Sequence, residues 1–272
     1  MAICVYCGKD RKCTREHVIP SFIYGHIDRK AFPSLSAWNE ATKSQIRGEH
    51  KVKDVCAECN NQHLSMLDAY GKSFLIQNNL LRPLYETNLV LRYDYHKLAR
   101  WLLKITFNAS RASGESSHES AAYASYILTG DEAPSKKRFF ILAELLKPHQ
   151  HINITDDVSP IVNEQGYSNP FLVRVTRTFL SEELKGSFKV ENIGFGGLFF
   201  HLCFIGDLVR SASASQLKRK VLQDNHWSYL LDQGTHSVRM RASHRDWMEM
   251  RNGQTYRELQ ILKGVNDPFP VR

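Results

Sequence analysis

Cys4-Val5-Tyr6-Cys7 and Cys56-Ala57-Glu58-Cys59 bracket the step Glu16-His17-Val18-Ile19-Pro20, and the second pair runs straight into Asn60-Asn61. Four thiolates in two CxxC pairs suit tetrahedral Zn2+, a borderline-soft ion, and an ion saturated by four sulfurs is structural. A redox dithiol would sit beside a βαβ pattern, which is absent. Two pairs flanking fewer than fifty residues read instead as two knuckles on one ion, in preference to disulfides. Glu16, His17 and Asn60 offer different chemistry: hard oxygen donors for a hydrated Mg2+ or Mn2+, and an imidazole that can take a proton near neutrality. His63, one helical turn after Asn60, is an additional candidate ligand or phosphate contact. Cys13 is near enough to the first knuckle to substitute as a ligand, but a free thiol is the simpler reading. Cys203, in an apolar run, reads as a small buried hydrophobe.

These residues need a hairpin and a helix to hold them. Thr14–Ile19 and Lys51–Val55 are the candidate strands, with a polar, irregular stretch over 21–50 between them. Its aromatics Phe22, Tyr24, Phe32 and Trp38 are expected to pack on the zinc core. A helix should start near Cys59, because Leu64, Leu67, Gly71, Phe74 and Leu75 recur at helical spacing, and Pro83 closes it. Further on, Asp94 can cap a helix carrying Leu98, Trp101, Leu102 and Ile105. Residues 117–128 suggest another helix, stopped by Gly130. Phe139–Leu146 is ambiguous between strand and helix. Phe171–Phe179 alternates as a strand, and Ser187–Ile193 with Leu198–Ile205 form a hairpin across Gly194–Gly197. Ser211–Leu222 looks helical, and the tail after Gly264 is expected to be loosely held. The expectation is an α+β protein: a zinc module over 1–85, then a mixed helix and strand domain over 86–272.

The whole-chain properties narrow the partners. With 42% hydrophobic and 24% charged residues in 272, the chain can bury a core and is not globally disordered. No window is apolar enough to span a membrane, no signal-peptide layout is seen, and thiols reserved for metal suit a reducing, cytoplasmic setting. A net charge of +8 favours polyanions, and Lys9, Arg11, Lys12 and Arg15 crowd the first knuckle beside the candidate site. Ser21, His26 and Asn61 are near enough to touch phosphate, though capping or surface roles are the simpler reading.

Taken in order, Cys4-x-x-Cys7, Thr14-Arg15-Glu16-His17-Val18-Ile19-Pro20 and Cys56-x-x-Cys59-Asn60-Asn61 resemble the HNH endonuclease family in its zinc-stapled ββα-metal form. The likeness covers about the first quarter of the chain. It implies a treble-clef-like hairpin and helix, with His17 as general base, Glu16 and Asn60 as ligands of a catalytic divalent ion, and hydrolysis of phosphodiesters, chiefly in DNA. The family's middle Asn, which holds the base in orientation, is replaced here by Lys51. His50, Glu49, Asn39 or a backbone carbonyl would have to take its place. The alternative is a catalytically silent zinc scaffold that binds nucleic acid or protein. By analogy, such a module joined to a second domain suggests an effector of bacterial defence or of a mobile element, with a protein partner or a second copy docking on the C-terminal half.

Overall fold

The computed structural model describes residues 2–27, 36–39, 42–114, 122–150, 162–167, 173–178 and 187–246. Short strands β1 (Ala2–Ile3) and β2 (Asp10–Arg11) pair around the first knuckle. β3 (Cys13–His17) follows and leads into one helical turn, α1 (Ser21–Tyr24). β4 (Ser36–Asn39) and β5 (Ser44–Arg47) form an antiparallel pair, and β6 (Lys51–Cys56) then returns against β3. The stretch read as irregular thus contains a helical turn and a two-stranded ribbon. Its stabilisation comes from turn chemistry, which periodicity cannot reveal: the Asn39 side chain accepts from the Thr42 amide at 2.9 Å and from its hydroxyl at 3.0 Å. Phe22 and Tyr24 do pack on the core. Phe32 and the Trp38 side chain lie outside the described residues.

After Cys56 the chain winds as a wide π-type turn over Cys59–Leu64, with the Ser65 amide reaching back to the Asn60 carbonyl, and continues as α2 (Ser65–Gln77). Leu67, Gly71, Phe74 and Leu75 form its buried stripe, as the spacing predicts. Then come β7 (Asn88–Arg92) and α3 (Tyr95–Ala112), which Asp94 caps by accepting from the Lys97 amide at 3.1 Å. α4 (Ala124–Thr129) ends at Gly130, whose φ of 89° is the left-handed cap that glycine accepts without strain. Residues 117–121 of the expected helix lie outside the described residues.

β8 (Phe139–Lys147), β9 (Val173–Thr178), β10 (Phe188–Phe195), β11 (Leu198–Ile205), α5 (Ser211–Asp224), β12 (Tyr229–Leu230) and β13 (Ser237–Asp246) complete the described chain. A seven-stranded sheet runs β7-β13-β8-β11-β10-β9, with β12 also on β8. All its pairings are antiparallel except β13 with β8. The ambiguous run at 139–146 is therefore a strand. It shows no alternation because both faces are covered: Phe139, Ile141, Ala143 and Leu145 join the main core, while Phe140 and Leu142 pack toward α5. The ends of the predicted strand at 171–179 and the tail after Gly264 lie outside the described residues.

One apolar cluster runs from Cys4 and Tyr6 through α2 and α3 to Phe195, Phe200 and Met240. Leu80 and Leu84, beside the boundary expected near residue 85, belong to it. Helix α3 is the central member. Its Trp101 stacks on Phe195 with ring centroids 5.3 Å apart, and it lies so close to Gly71 of α2 that no Cβ fits there.

Candidate functional site

The knuckles converge. The Sγ atoms of Cys4, Cys7, Cys56 and Cys59 all lie within 4.8 Å of one another, and Cys7 and Cys56 are 3.9 Å apart. Tetrahedral zinc with Zn–S near 2.3 Å calls for sulfurs about 3.8 Å apart, far longer than a disulfide. The thiols also act on one another electrostatically. Burial pushes the Cys4 thiol up, but amides of Cys56, Cys7 and Tyr6 outweigh it and bring its pKa down to about 7. Burial and the neighbouring thiols Cys56 and Cys7 raise that of Cys59. Four such groups cannot all ionise side by side unless a cation neutralises them, and the cluster is compatible with a structural Zn2+ in that role. Among the described residues this is the only group of three or more His, Cys, Asp or Glu side chains placed to hold a metal. Cys13 lies outside it, its thiol turned toward the carbonyls of Ala2 and Arg11. Cys203 is buried, as its apolar run implies.

Beside the cluster, β3 and β6 form the expected hairpin, with Glu16 opposite Val52 and His17 opposite Lys51. A bulge sets Lys53 and Asp54 together against Arg15. It turns Asp54 inward, where Arg111 donates to it at 2.9 Å, and leaves Lys53 outside. Beyond the bulge the pleat alternates normally, so Glu16 is buried while the His17 side chain keeps 27% of its exposure. The outer face thus carries His17 among Arg15, Lys51 and Lys53. His17 Nε2 is 3.4 Å from Glu49 Oε2, and Lys51 Nζ approaches the same carboxylate at 3.7 Å. Of the groups that sequence offered as partners for His17, Glu49 is the one that reaches its ring. His50 turns to the Ile46 carbonyl and Asn39 to Thr42.

Glu16 points the other way, into an ion pair with Lys104 of α3 (Oε1 to Nζ, 2.6 Å). Lys104 is fully buried and also holds both oxygens of Asp68, at 2.8 and 2.7 Å. Burial raises the Glu16 carboxyl above its usual range; Lys104 pulls it back only in part, and Asp68 adds to the rise. Asn60 joins the helix start to the hairpin, donating from Nδ2 to Thr14 Oγ1 at 2.9 Å and to the Arg15 carbonyl at 3.1 Å. The His63 side chain is half-buried and makes no hydrogen bond or ion pair among the described residues.

Sequence reasoning did not find the contribution of α3. Lys104, Asn108 and Arg111, at i, i+4 and i+7, form one polar stripe laid along the hairpin. They reach Glu16, the His17 carbonyl (3.0 Å) and Asp54 respectively. The stripe was visible as helical spacing, but such spacing more often marks a solvated face.

No family model, no curated protein and no solved structure matches the chain. Among the described residues, no helix is long and apolar enough to cross a membrane.

Proposed function

We propose that the protein is a zinc-stapled endonuclease of the HNH kind, hydrolysing phosphodiester bonds in DNA. The observation that carries the reading is the outer hairpin face: a partly exposed imidazole, His17, set among Arg15, Lys51 and Lys53 with the Glu49 carboxylate at 3.4 Å. Cations at that position attract a phosphate and stabilise charge developing on it. The imidazole takes the proton from the attacking water, and Glu49 stabilises the imidazolium that forms. The thiolate cluster has no open position when filled, so its zinc holds the hairpin on the helix and takes no part in the chemistry. Glu16 and Asn60 would hold a hydrated Mg2+ or Mn2+ for Lewis-acid stabilisation of the leaving oxygen only if Glu16 left Lys104 and turned from the inner face of the hairpin toward His17. Purified protein with Mg2+ or Mn2+ should nick plasmid DNA, and His17→Ala should abolish nicking while one zinc per chain is retained. Plasmid left intact across both metals and a range of pH would refute the reading.

A second reading has one observation in its favour. Lys104 occupies a Glu16 oxygen, so the carboxylate needed for a divalent ion is already engaged by an ammonium. On that account the module binds nucleic acid without cutting it. Salt-dependent DNA binding unaffected by His17→Ala, together with absent cleavage, would select this alternative.

A further inference from the structure

Deepening the nuclease reading and resting on it, we propose that Asn108 is the positioning residue for the base. Acting from helix α3, it does what an Asn within the hairpin would do where Lys51 stands. Three observations converge on it. Its Nδ2 donates to the main-chain carbonyl of His17 at 3.0 Å, which fixes the peptide from which the imidazole projects. Its Oδ1 is held in turn, accepting from Tyr6 Oη at 2.8 Å and from Arg111 Nη2 at 2.9 Å, so the amide has one orientation that satisfies every partner. Its residue is fully buried, which makes an unpaired donor or acceptor costly and a rotated amide unfavourable.

The supports of Asn108 lead back to the zinc module. Tyr6 lies between the first two zinc-binding thiols. Arg111 also bonds Asp54 on β6, and its guanidinium lies 4.0 Å over the Phe107 ring. The base is therefore fixed from two sides. Glu49 contacts the ring from the hairpin, and Asn108 holds the backbone from a helix outside the motif. A simple structural role would also explain a buried amide bonded to a carbonyl. What separates the two is whether loss of the donor changes turnover at saturating substrate while leaving zinc and substrate binding alone.

Asn108→Asp in the full chain removes the donor to His17 and keeps oxygens for Tyr6 and Arg111. Asn78→Asp is the control, another buried amide that bonds the main chain of Phe74 and Arg92 away from the hairpin. With Mg2+ and plasmid DNA, kcat of Asn108→Asp should fall by about 10- to 100-fold, the scale of a small misplacement of a reacting group, with KM within about twofold. The control should keep its kcat. In NMR spectra the His17 ring signal should broaden or split in Asn108→Asp and stay sharp in the control. Should Asn108→Asp fail to fold, Tyr6→Phe, which frees Oδ1 of one donor, should show the same split with a smaller loss. Unchanged kcat and an unchanged His17 signal, in an enzyme whose cleavage still requires His17, overturn the inference and leave the nuclease reading intact. A wild type that never cleaves DNA overturns both.

Discussion

Lys104→Met tests how the N-terminal hairpin is joined to the rest of the chain. The ammonium is fully buried and contacts Glu16 at 2.6 Å and Asp68 at 2.7 Å, and the Glu16 side chain is only 7% exposed. Methionine keeps the unbranched stem and removes the charge, leaving the Glu16 carboxylate buried without its counter-ion. Breaking a buried pair in this way costs about 3–5 kcal/mol. Asp68 contributes less, because its side chain keeps a quarter of its exposure and water can still solvate it. A loss of about 3–4 kcal/mol is thus expected, a large part of the roughly 5–15 kcal/mol by which a domain is stable. Urea unfolding followed by Trp fluorescence reads it directly, since Trp101 donates to Asp68 at 3.3 Å and should report the same transition. Adding Glu16→Gln to Lys104→Met removes the stranded charge and should recover more than about half of the loss, a coupling visible only if the two groups are a pair. A single-variant cost below about 1 kcal/mol, or strictly additive costs, would refute the argument that this pair is a main tie between β3 and α3.

Three further outcomes follow from the same structure. Purified protein should carry one zinc per chain; Cys56→Ser should lose it and unfold the module, whereas Cys13→Ser should keep it, and metal analysis with circular dichroism distinguishes them. Gly71→Ala should destabilise by about 1–3 kcal/mol or more, because the new methyl meets the Trp101 ring, itself stacked on Phe195; calorimetry checks this. Glu144, buried on β8, is held below its ordinary carboxyl value of 4.5: burial raises it, but His201 and Arg245 outweigh that. A depressed folded pKa means that the unfolded state binds more protons in acid, so this stabilisation is complete above pH 4.5 and is lost as pH falls through the folded value. Glu144→Gln should therefore flatten the fall in urea midpoint below that pH, and an unaltered acid profile would show that Glu144 is not the group responsible.

What could be read in the sequence was local. The thiol pairs carry their own geometry, and β3, β6, α2 and α3 each announce themselves by periodicity, a cap or a knuckle within a few residues. The β10–β11 hairpin declares itself through Gly196 and Gly197, both at positive φ. What could not be read was long-range. β7 and β13 pair across more than a hundred residues, and β8 carries no alternating pattern because apolar groups cover both its faces. The same limit applied at the site. Adjacent strand residues point to opposite faces, so Glu16 and His17 could serve one site only if the strand distorted between them; the bulge falls at Arg15 instead, and Glu16 faces inward to Lys104 while His17 faces out.

The polar stripe on α3 has a physical logic that bears on function. Burying Lys104, Asn108 and the head of Arg111 gives little net stability over apolar residues of the same volume, because desolvation cancels most of what the pairs return. It does impose specificity. Each polar group accepts only one hairpin position, so helix and hairpin can meet in one register, whereas an apolar seam would tolerate sliding. Register is what the proposed base would require, since His17 would have to keep its place relative to a phosphate within a fraction of an ångström. The body beyond residue 85 therefore shapes the site directly.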